Sequence, residues 1–201
     1  MTKKTAAEVY HLFREQAGSH AIAGEVTLGM IIASCANRPV QNILELGAGI
    51  GTLSYALLEH TDAHLDLYEV NDFCIEAIGK NLQPFAGRYT LLTDYNYLPP
   101  ARNYDLVVID GGKGKKEGGF PRLVAAYLMS LSDVKTVIVE GQRKVQKYWA
   151  LKALHEEYIC KIKVQKDPTG GKKIGVRIDC RRSRNRWLRD IYFWYALARV
   201  C

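Results

Sequence analysis

Three glycines at alternate positions follow a short apolar run in the sequence NILELGAGIGTL, residues 42–53. A helix-like pattern begins directly after them. A buried parallel strand that turns tightly into a helix beside a ligand has this form, because glycines permit unusual backbone dihedrals and leave no Cβ in the ligand's path. The spacing is G-x-G-x-G, whereas the dinucleotide fingerprint is G-x-G-x-x-G. This difference disfavours a nicotinamide or flavin cofactor.

Strand-like and helix-like segments alternate along most of the chain. The predicted strands cover residues 42–46, 64–70, 88–92, 104–110 and 134–139, and the predicted helices cover residues 5–17, 25–36, 52–60, 72–82, 121–131 and 144–155. A loop with a short helix is predicted at residues 94–100. Strands and helices that alternate with short loops argue for a doubly wound, mainly parallel α/β sheet.

The alternation ends near the C-terminus. Residues 158–166 and 173–180 form two further predicted strands whose connection is too short for a crossover helix. This indicates an antiparallel hairpin added to the parallel sheet, which makes seven strands. Without a linker or an internal repeat, we expect a single domain over residues 1–201. Its expected parts are N-terminal helices at 1–40, an α/β core at 41–180 and a basic, aromatic helix at 181–201.

Acidic side chains lie at or near the ends of the predicted strands, where ligands of open α/β sheets bind. Glu45 lies in the first strand, and the later strands are followed or ended by Glu69, Asp94, Asp110 and Glu140. A single acid at such a position often caps the next helix. Acids at successive strand ends instead indicate one functional edge of the sheet.

Composition places the chain among ordinary globular proteins, with 48% hydrophobic and 24% charged residues. Its five cysteines are widely spaced without a C-x-x-C pair, which indicates reduced thiols rather than a disulfide framework or a zinc site. We read neither a secretion signal nor a membrane span in the sequence, so a cytoplasmic protein without stable membrane insertion is expected.

The formal charge of +7 is unevenly distributed. One basic cluster lies near the C-terminus and consists of Arg181, Arg182, Arg184, Arg186 and Arg189. The other lies in a glycine-rich loop and consists of Lys113, Lys115 and Lys116. Such clusters are either solvated surface or a binding site for nucleic acid or another polyanion. The aromatic residues between Arg186 and Cys201 lie nearly all round the predicted helix, so we expect its burial, for example in a homo-oligomer interface, rather than membrane-surface binding.

The order of ILELGAGIGTLS, LYEVND, LLTDYNY and YDLVVIDGGKG resembles the motif series of class I S-adenosylmethionine-dependent methyltransferases, over about residues 25–180. The resemblance implies their Rossmann-like seven-stranded fold. It also implies that the glycines pack under the methionine and ribose of the cofactor, that Glu69 accepts hydrogen bonds from both ribose hydroxyls, and that Asp94 and Tyr95 meet the adenine. The implied cofactor-binding set is Glu45, Gly47, Ala48, Gly49, Gly51, Glu69, Val70, Asp94, Tyr95 and Asp110. Asp94 could instead cap the short helix.

Asp110-Gly111-Gly112-Lys113 is similar to the D-x-x-K stretch of the catechol O-methyltransferase-like branch. That resemblance implies that Asp110 binds Mg²⁺ and that Lys113 helps to deprotonate the attacking hydroxyl. The remaining metal ligands of that branch are an Asp-Asn pair, where this chain has Glu140-Gly141. Glu140 can replace the aspartate, but glycine has no amide side chain. The glycine therefore leaves open whether Asp110 and Glu140 bind Mg²⁺. Lys113 is either the catalytic base or part of a basic loop that holds an anionic substrate.

The leading hypothesis is an enzyme that transfers a methyl group from S-adenosylmethionine to a hydroxyl of a small molecule or a nucleic acid such as RNA. A catalytically silent protein of the same fold that binds nucleic acid or a partner protein is the alternative. A nicotinamide-dependent oxidoreductase is disfavoured by the glycine spacing. The glycine-rich residues 111–119 are expected to form a mobile lid. Together with Arg143, Lys144 and Lys147, this loop is expected to place positive charge around the rim of the site.

Overall fold

The computed structural model describes residues 2–36, 39–101, 103–112, 119–167, 170–171 and 173–200. The chain forms two compact units, Met1–Tyr97 and Leu98–Cys201. The single domain over residues 1–201 stays a prediction. Within the described ranges, no helix combines the length and the apolar character that a membrane span requires.

The described residues of the first unit form three parallel strands and four α-helices. Its elements are α1 (Ala6–Arg14), α2 (Glu25–Ala36), β1 (Asn42–Leu46), α3 (Thr52–His60), β2 (His64–Tyr68), α4 (Asp72–Asn81) and β3 (Tyr89–Leu92), with 3-10 turns at Ser19–Ala21 and Gln83–Phe85. β2 pairs in parallel with β1 and with β3. Ile43, Leu44 and Leu46 of β1 are fully buried, as expected for a strand that is covered on both faces.

Side-chain caps fix where two helices of this unit begin. Thr5 and Glu8 form a reciprocal capping box at the start of α1. Asn71 caps α4 by accepting a hydrogen bond from the N–H of Cys74 at 3.1 Å. The N–H of Asn71 donates to the carboxylate of Glu69 at 2.9 Å. One residue therefore both starts α4 and holds a predicted site residue.

In the described part of the second unit lie the remaining strands and three helices. Its elements are β4 (Asn103–Tyr104), β5 (Leu106–Ile109), α5 (Gly119–Ser130), β6 (Asp133–Val134), β7 (Thr136–Glu140), α6 (Lys144–His155), β8 (Tyr158–Lys166), β9 (Lys173–Arg182) and α7 (Arg186–Val200). β5 and β7 are parallel, whereas β9 is antiparallel to both β7 and β8. The predicted C-terminal hairpin is thereby confirmed.

Seven strands form one sheet in the order β3-β2-β1-β5-β7-β9-β8. The β1–β2, β2–β3 and β5–β7 pairs of this sheet are parallel, and β9 is antiparallel to its neighbours β7 and β8. This arrangement confirms the predicted fold class, a mainly parallel α/β sheet closed by an antiparallel hairpin.

Two of the strands were predicted as continuous, and this was wrong. Residues 104–110 and 134–139 are each interrupted, and β4 and β6 pair with each other in a separate two-stranded sheet. Asp105 and Lys135 occupy the interruptions and form an ion pair at 2.5 Å. The N–H of Lys135 also donates to the carbonyl of Tyr104 at 3.2 Å. The charged pair explains why neither apolar run continues as one strand.

Other boundaries differ by a few residues. α1 ends at Arg14 rather than at residue 17, and β9 extends to Arg182. β2 ends at Tyr68 rather than at Val70, because the Glu69 carboxylate accepts hydrogen bonds from the next two backbone N–H groups and turns the chain.

Candidate functional site

The glycine turn after β1 has the backbone conformation that its spacing predicted. Gly47, Gly49 and Gly51 have φ values of 90°, 56° and 90°, in the left-handed region that other residues rarely adopt. The N–H groups of Gly47 and Ala48 both donate to the carbonyl of Tyr68, at 3.1 and 3.0 Å. The end of β2 therefore holds the start of the turn.

Gly49 and Glu69, which are twenty residues apart, are brought together. The N–H of Gly49 donates to Glu69 Oε2 at 2.8 Å. Glu69 Oε1 accepts from the N–H groups of Val70 and Asn71, at 2.8 and 2.9 Å. A Cβ added to Gly49 would meet no atom within 4 Å. A fixed carboxylate thus lies beside an open stretch of backbone.

Glu45 lies below this turn and is fully buried in β1. Ser54 donates a hydrogen bond to Glu45 Oε2 at 2.6 Å, whereas Glu45 Oε1 is buried without a hydrogen-bond partner among the described residues. Burial raises the pKa of Glu45 to about 7, against the opposing hydrogen bond from Ser54, and the charge of Glu69 adds to the rise. An unpaired oxygen on a buried carboxyl is costly unless a cation or a donor is supplied.

Asp94 and Tyr95 lie in a turn, so the predicted short helix at residues 94–100 was wrong. Asp94 Oδ1 accepts from the N–H of Asn96 at 2.8 Å, which stabilises the turn instead of a helix. The ring of Tyr95 stacks on that of Tyr68, with a centroid distance of 5.2 Å and an interplanar angle of 9°. Tyr68 Oη in turn donates to the carbonyl of Tyr97 at 2.7 Å. Tyr68 was not among the predicted site residues.

In the second unit, a guanidinium lies beside the two predicted metal-binding carboxylates. Arg143 Nη2 is 3.2 Å from Asp110 Oδ1 and 3.7 Å from Glu140 Oε2. Arg143 Nη1 donates to the carbonyls of Asp110 and Gly111. All three side chains are at least three-quarters buried, so this pairing is screened less than a surface ion pair.

The first turns of α6 complete this strand-end cluster. Gln146 is buried and donates to the carbonyl of Gly111 at 2.7 Å. Lys147 is also buried, and its Nζ donates to the carbonyl of Gly141 at 2.7 Å. The sequence had indicated Arg143 and Lys147 as positive charge on the rim of the site. That placement was wrong for Lys147, because the chain itself surrounds its ammonium.

The described residues do not fit a divalent-metal site. No group of three or more His, Cys, Asp or Glu side chains among them is arranged to hold a metal. Asp110 and Glu140 are instead engaged by the cation of Arg143. Gly141 has φ 71°, in the left-handed region that favours glycine, and it offers no side chain that could bind a metal. Lys113, with most of the loop at 111–119, lies outside the described residues.

No protein-family model matches the sequence, and no curated protein is significantly similar to it. Solved structures are similar at the level of the fold. A provisionally assigned caffeoyl-CoA O-methyltransferase from Staphylococcus aureus has a TM-score of 0.64 and 19% identity, with 89% of this chain and 93% of that chain covered. A provisionally assigned RNA methyltransferase from Pyrococcus horikoshii has a TM-score of 0.62 and 16% identity, with 87% and 96% covered.

A third similar structure is a methyltransferase from Podospora anserina that was solved with bound SAH. Its TM-score is 0.59 at 17% identity, with 88% of this chain and 87% of that chain covered. At identities this low, the likeness concerns the fold rather than the chemistry. The chain has the seven-stranded α/β fold of these methyltransferases.

Proposed function

We propose that the chain binds S-adenosylmethionine at the carboxyl end of β1 and transfers its methyl group to an acceptor. The observation that carries the proposal is the open backbone at Gly49 beside the fixed carboxylate of Glu69. A ligand that packs against bare backbone and offers hydroxyl donors to a carboxylate suits this geometry, and the ribose of the cofactor is such a ligand.

Each residue of the glycine turn has a role in this proposal. Gly47, Ala48, Gly49 and Gly51 leave room for the methionine and ribose parts, and Glu69 accepts the ribose hydroxyls. Three backbone N–H groups already donate to Glu69, so its two oxygens retain little further capacity. The ribose must therefore share the carboxylate with the Gly49 N–H. Asp94, Tyr95 and Val70 are proposed to line the adenine part.

Glu45 is proposed to compensate the positive charge of the cofactor. The bound group would supply an activated methyl on a sulfonium, which needs no redox partner. A cation near Glu45 favours the ionised form of its carboxyl group. In the ligand-free chain, Glu45 Oε1 has no hydrogen-bond partner among the described residues. The chain's own contribution to the rate is then alignment of the acceptor and exclusion of water.

For the acceptor, we propose a hydroxyl of a small molecule or of RNA. No catalytic step is assigned to Mg²⁺, because Arg143 engages both candidate ligands. Asp110 is proposed to help to position the acceptor or cofactor, with its charge balanced by Arg143. Lys113 as general base, a cytoplasmic location and a homo-oligomer through α7 stay predictions.

Calorimetric titration with S-adenosylmethionine tests the proposal. We expect measurable binding by the wild type and a loss of about 100-fold or more in Glu69→Ala and in Gly49→Val, because the first removes a charged acceptor and the second fills the open backbone. Glu76→Ala and Gly79→Ala on the outer side of α4 are matched controls, since both residues are exposed there. Equal affinity in all five proteins, or none in the wild type, would contradict the site.

The second candidate function is a catalytically silent protein that keeps the cofactor site. The pairing of Asp110 and Glu140 with an internal cation favours it, because neither carboxylate is then available for acceptor chemistry. Cofactor binding with no methyl transfer to pooled small-molecule and RNA acceptors would support this alternative. Binding of NADH in place of S-adenosylmethionine would instead revive an oxidoreductase.

A further inference from the structure

We propose that α7 and the residues before it form a binding surface for single-stranded nucleic acid. Arginines contact phosphates on this surface, and exposed aromatic rings stack on bases. We name it the basic-aromatic surface, and it consists of Arg182, Arg184, Arg189, Trp187, Trp194 and Tyr195. It belongs to the second unit, and its binding does not depend on the proposed methyl transfer.

The aromatic part of the surface is an exposed face of α7. Ala196 and Val200 are buried on the inner side of the helix. Trp187, Trp194 and Tyr195 are 69%, 67% and 54% exposed, and their spacing of seven and eight residues places them on one face. Within the single chain these three side chains are therefore uncovered, and burial of this face in a homo-oligomer stays a prediction. Exposed aromatic rings that share one helix face, rather than lying scattered singly, indicate a binding surface.

A cavity of about 430 Å³ lies at the start of α7. It is lined by Glu157, Arg182, Ser183, Arg184 and Arg189. Arg182 is paired with Glu157 at 2.6 Å. Arg189 Nη1 donates to the carbonyl of Ser183 at 2.8 Å, whereas its Nε is buried without an acceptor in the described part of the chain. A phosphate is an acceptor that several arginines can share.

The charge around this cavity is strongly unbalanced. Residues 181–200 contain the arginines 181, 182, 184, 186, 189 and 199 and a single acid, Asp190. Asp190 is already paired with His155 at 2.6 Å, and the first turn of α7 contains no acid. The positive end of the helix dipole adds to the same field. Of the three arginines that line the cavity, Arg182 is paired with Glu157, and this excess of positive charge favours a polyanionic partner.

Charge and shape favour nucleic acid over two other occupants. A second copy of this chain in a symmetric contact would place the same arginines against one another, which is repulsive. An anionic bilayer would suit the arginines, but its headgroup plane cannot follow a concave cavity. Stacking on aromatic rings combined with arginine contacts to phosphate is the pattern of sequence-tolerant single-strand binding.

Fluorescence anisotropy with a labelled single-stranded RNA of about 12 nucleotides tests the surface over a series of salt concentrations. We expect Trp187→Ala/Trp194→Ala to weaken binding by about 10-fold or more, because base stacking is lost. Arg184→Gln/Arg189→Gln should reduce the slope of log K against log salt by about 1.4, since each phosphate contact contributes about 0.7. Trp187→Phe/Trp194→Phe retains the rings and should restore most of the affinity.

Lys161→Gln/Lys163→Gln is the matched charge control, because both lysines are exposed on β8. This control should bind nearly as well as the wild type. Equal weakening by the two charge variants, or no binding by the wild type, overturns the proposal. It is also overturned if the wild type binds anionic vesicles but no oligonucleotide, or if sedimentation shows a dimer that the tryptophan variants abolish.

Discussion

The carboxylates at the end of β1 and β2 and those at the end of β5 and β7 are satisfied in different ways. In the first unit, backbone N–H groups hold Glu69, and one oxygen of Glu45 has no described partner. In the second unit, Arg143 supplies a cation to both Asp110 and Glu140. The first cluster lacks positive charge, whereas the second provides its own.

The two regions also differ in how much space surrounds their glycines. A Cβ at Gly49 would enter open space, whereas a Cβ at Gly112 would lie 2.6 Å from Gln146 Nε2 and 2.8 Å from Phe120 Cδ1. Both residues have positive φ, at 56° and 88°. The backbone is therefore left bare for a ligand in the first unit and covered by the chain's own side chains in the second. Predictions that separate stability from ligand binding test this difference.

The largest effect on stability is expected for Gly112→Ala. The new methyl group adds a clash to an unfavourable φ, so we expect the free energy of unfolding to fall by about 4 kcal/mol. Gly49→Ala carries only the backbone strain and should lose about 1–2 kcal/mol, while losing cofactor binding. Urea unfolding and calorimetry measure the two quantities. Equal destabilisation of the two variants would contradict the proposed difference in packing.

Glu45→Gln should change the pH dependence of stability. The pKa of Glu45 is raised from 4.5 to about 7, so between these pH values the folded chain holds a proton that the unfolded chain has lost. Wild-type stability therefore falls as the pH rises from about 4.5 to 7, by about 3 kcal/mol in total. Glutamine keeps an acceptor for Ser54 without the charge, so the variant should be more stable at pH 8 by about this amount.

Urea unfolding of the ligand-free protein at a series of pH values measures this effect. The two proteins should be equally stable near pH 4, where Glu45 is protonated in both states. Ser54→Ala is a useful control, because it removes the hydrogen bond at 2.6 Å but leaves the buried carboxyl. If the stability of the wild type and that of Glu45→Gln change with pH in parallel, Glu45 is not neutral in the folded chain.

The fold and the glycine turn were predictable because their signals are local. The run NILELGAGIG contains both the apolar strand and the residues that allow positive φ, and no distant contact is needed to specify them. The interruption by Asp105 and Lys135 was less accessible, since it depends on a pair of charges thirty residues apart. The sequence showed the order of the acidic residues at the strand ends, but it did not show which groups pair with them.

The remaining differences between prediction and structure depend on where a long side chain ends. Arg143 and Lys147 are both basic residues shortly after β7, and the sequence gives no reason for one to reach Asp110 and the other to turn inward to Gly141. Their stems carry several rotatable bonds, so packing of α6 decides the end point. The exposure of Trp187 and Trp194 has the same origin, because only the neighbours of α7 decide which of its apolar faces is covered.

A small effect on stability, with the sharpest change in binding, is expected for Arg143→Ala. Losing its charged hydrogen bonds should cost about 1–2 kcal/mol. Asp110 and Glu140 are then left without their cation, and oxygen ligands so placed attract a divalent ion. We expect weak Mn²⁺ binding in the variant, detected by electron paramagnetic resonance, and none at this position in the wild type.

Two further variants test whether the carboxylates bind this Mn²⁺. Arg143→Lys keeps the positive charge and should not gain Mn²⁺ binding. Asp110→Asn added to Arg143→Ala should abolish the gain, because one of the two carboxylates is removed. Mn²⁺ binding by the wild type that Asp110→Asn removes would mean that the two strand-end regions differ less than their contacts indicate, because a metal could then displace Arg143.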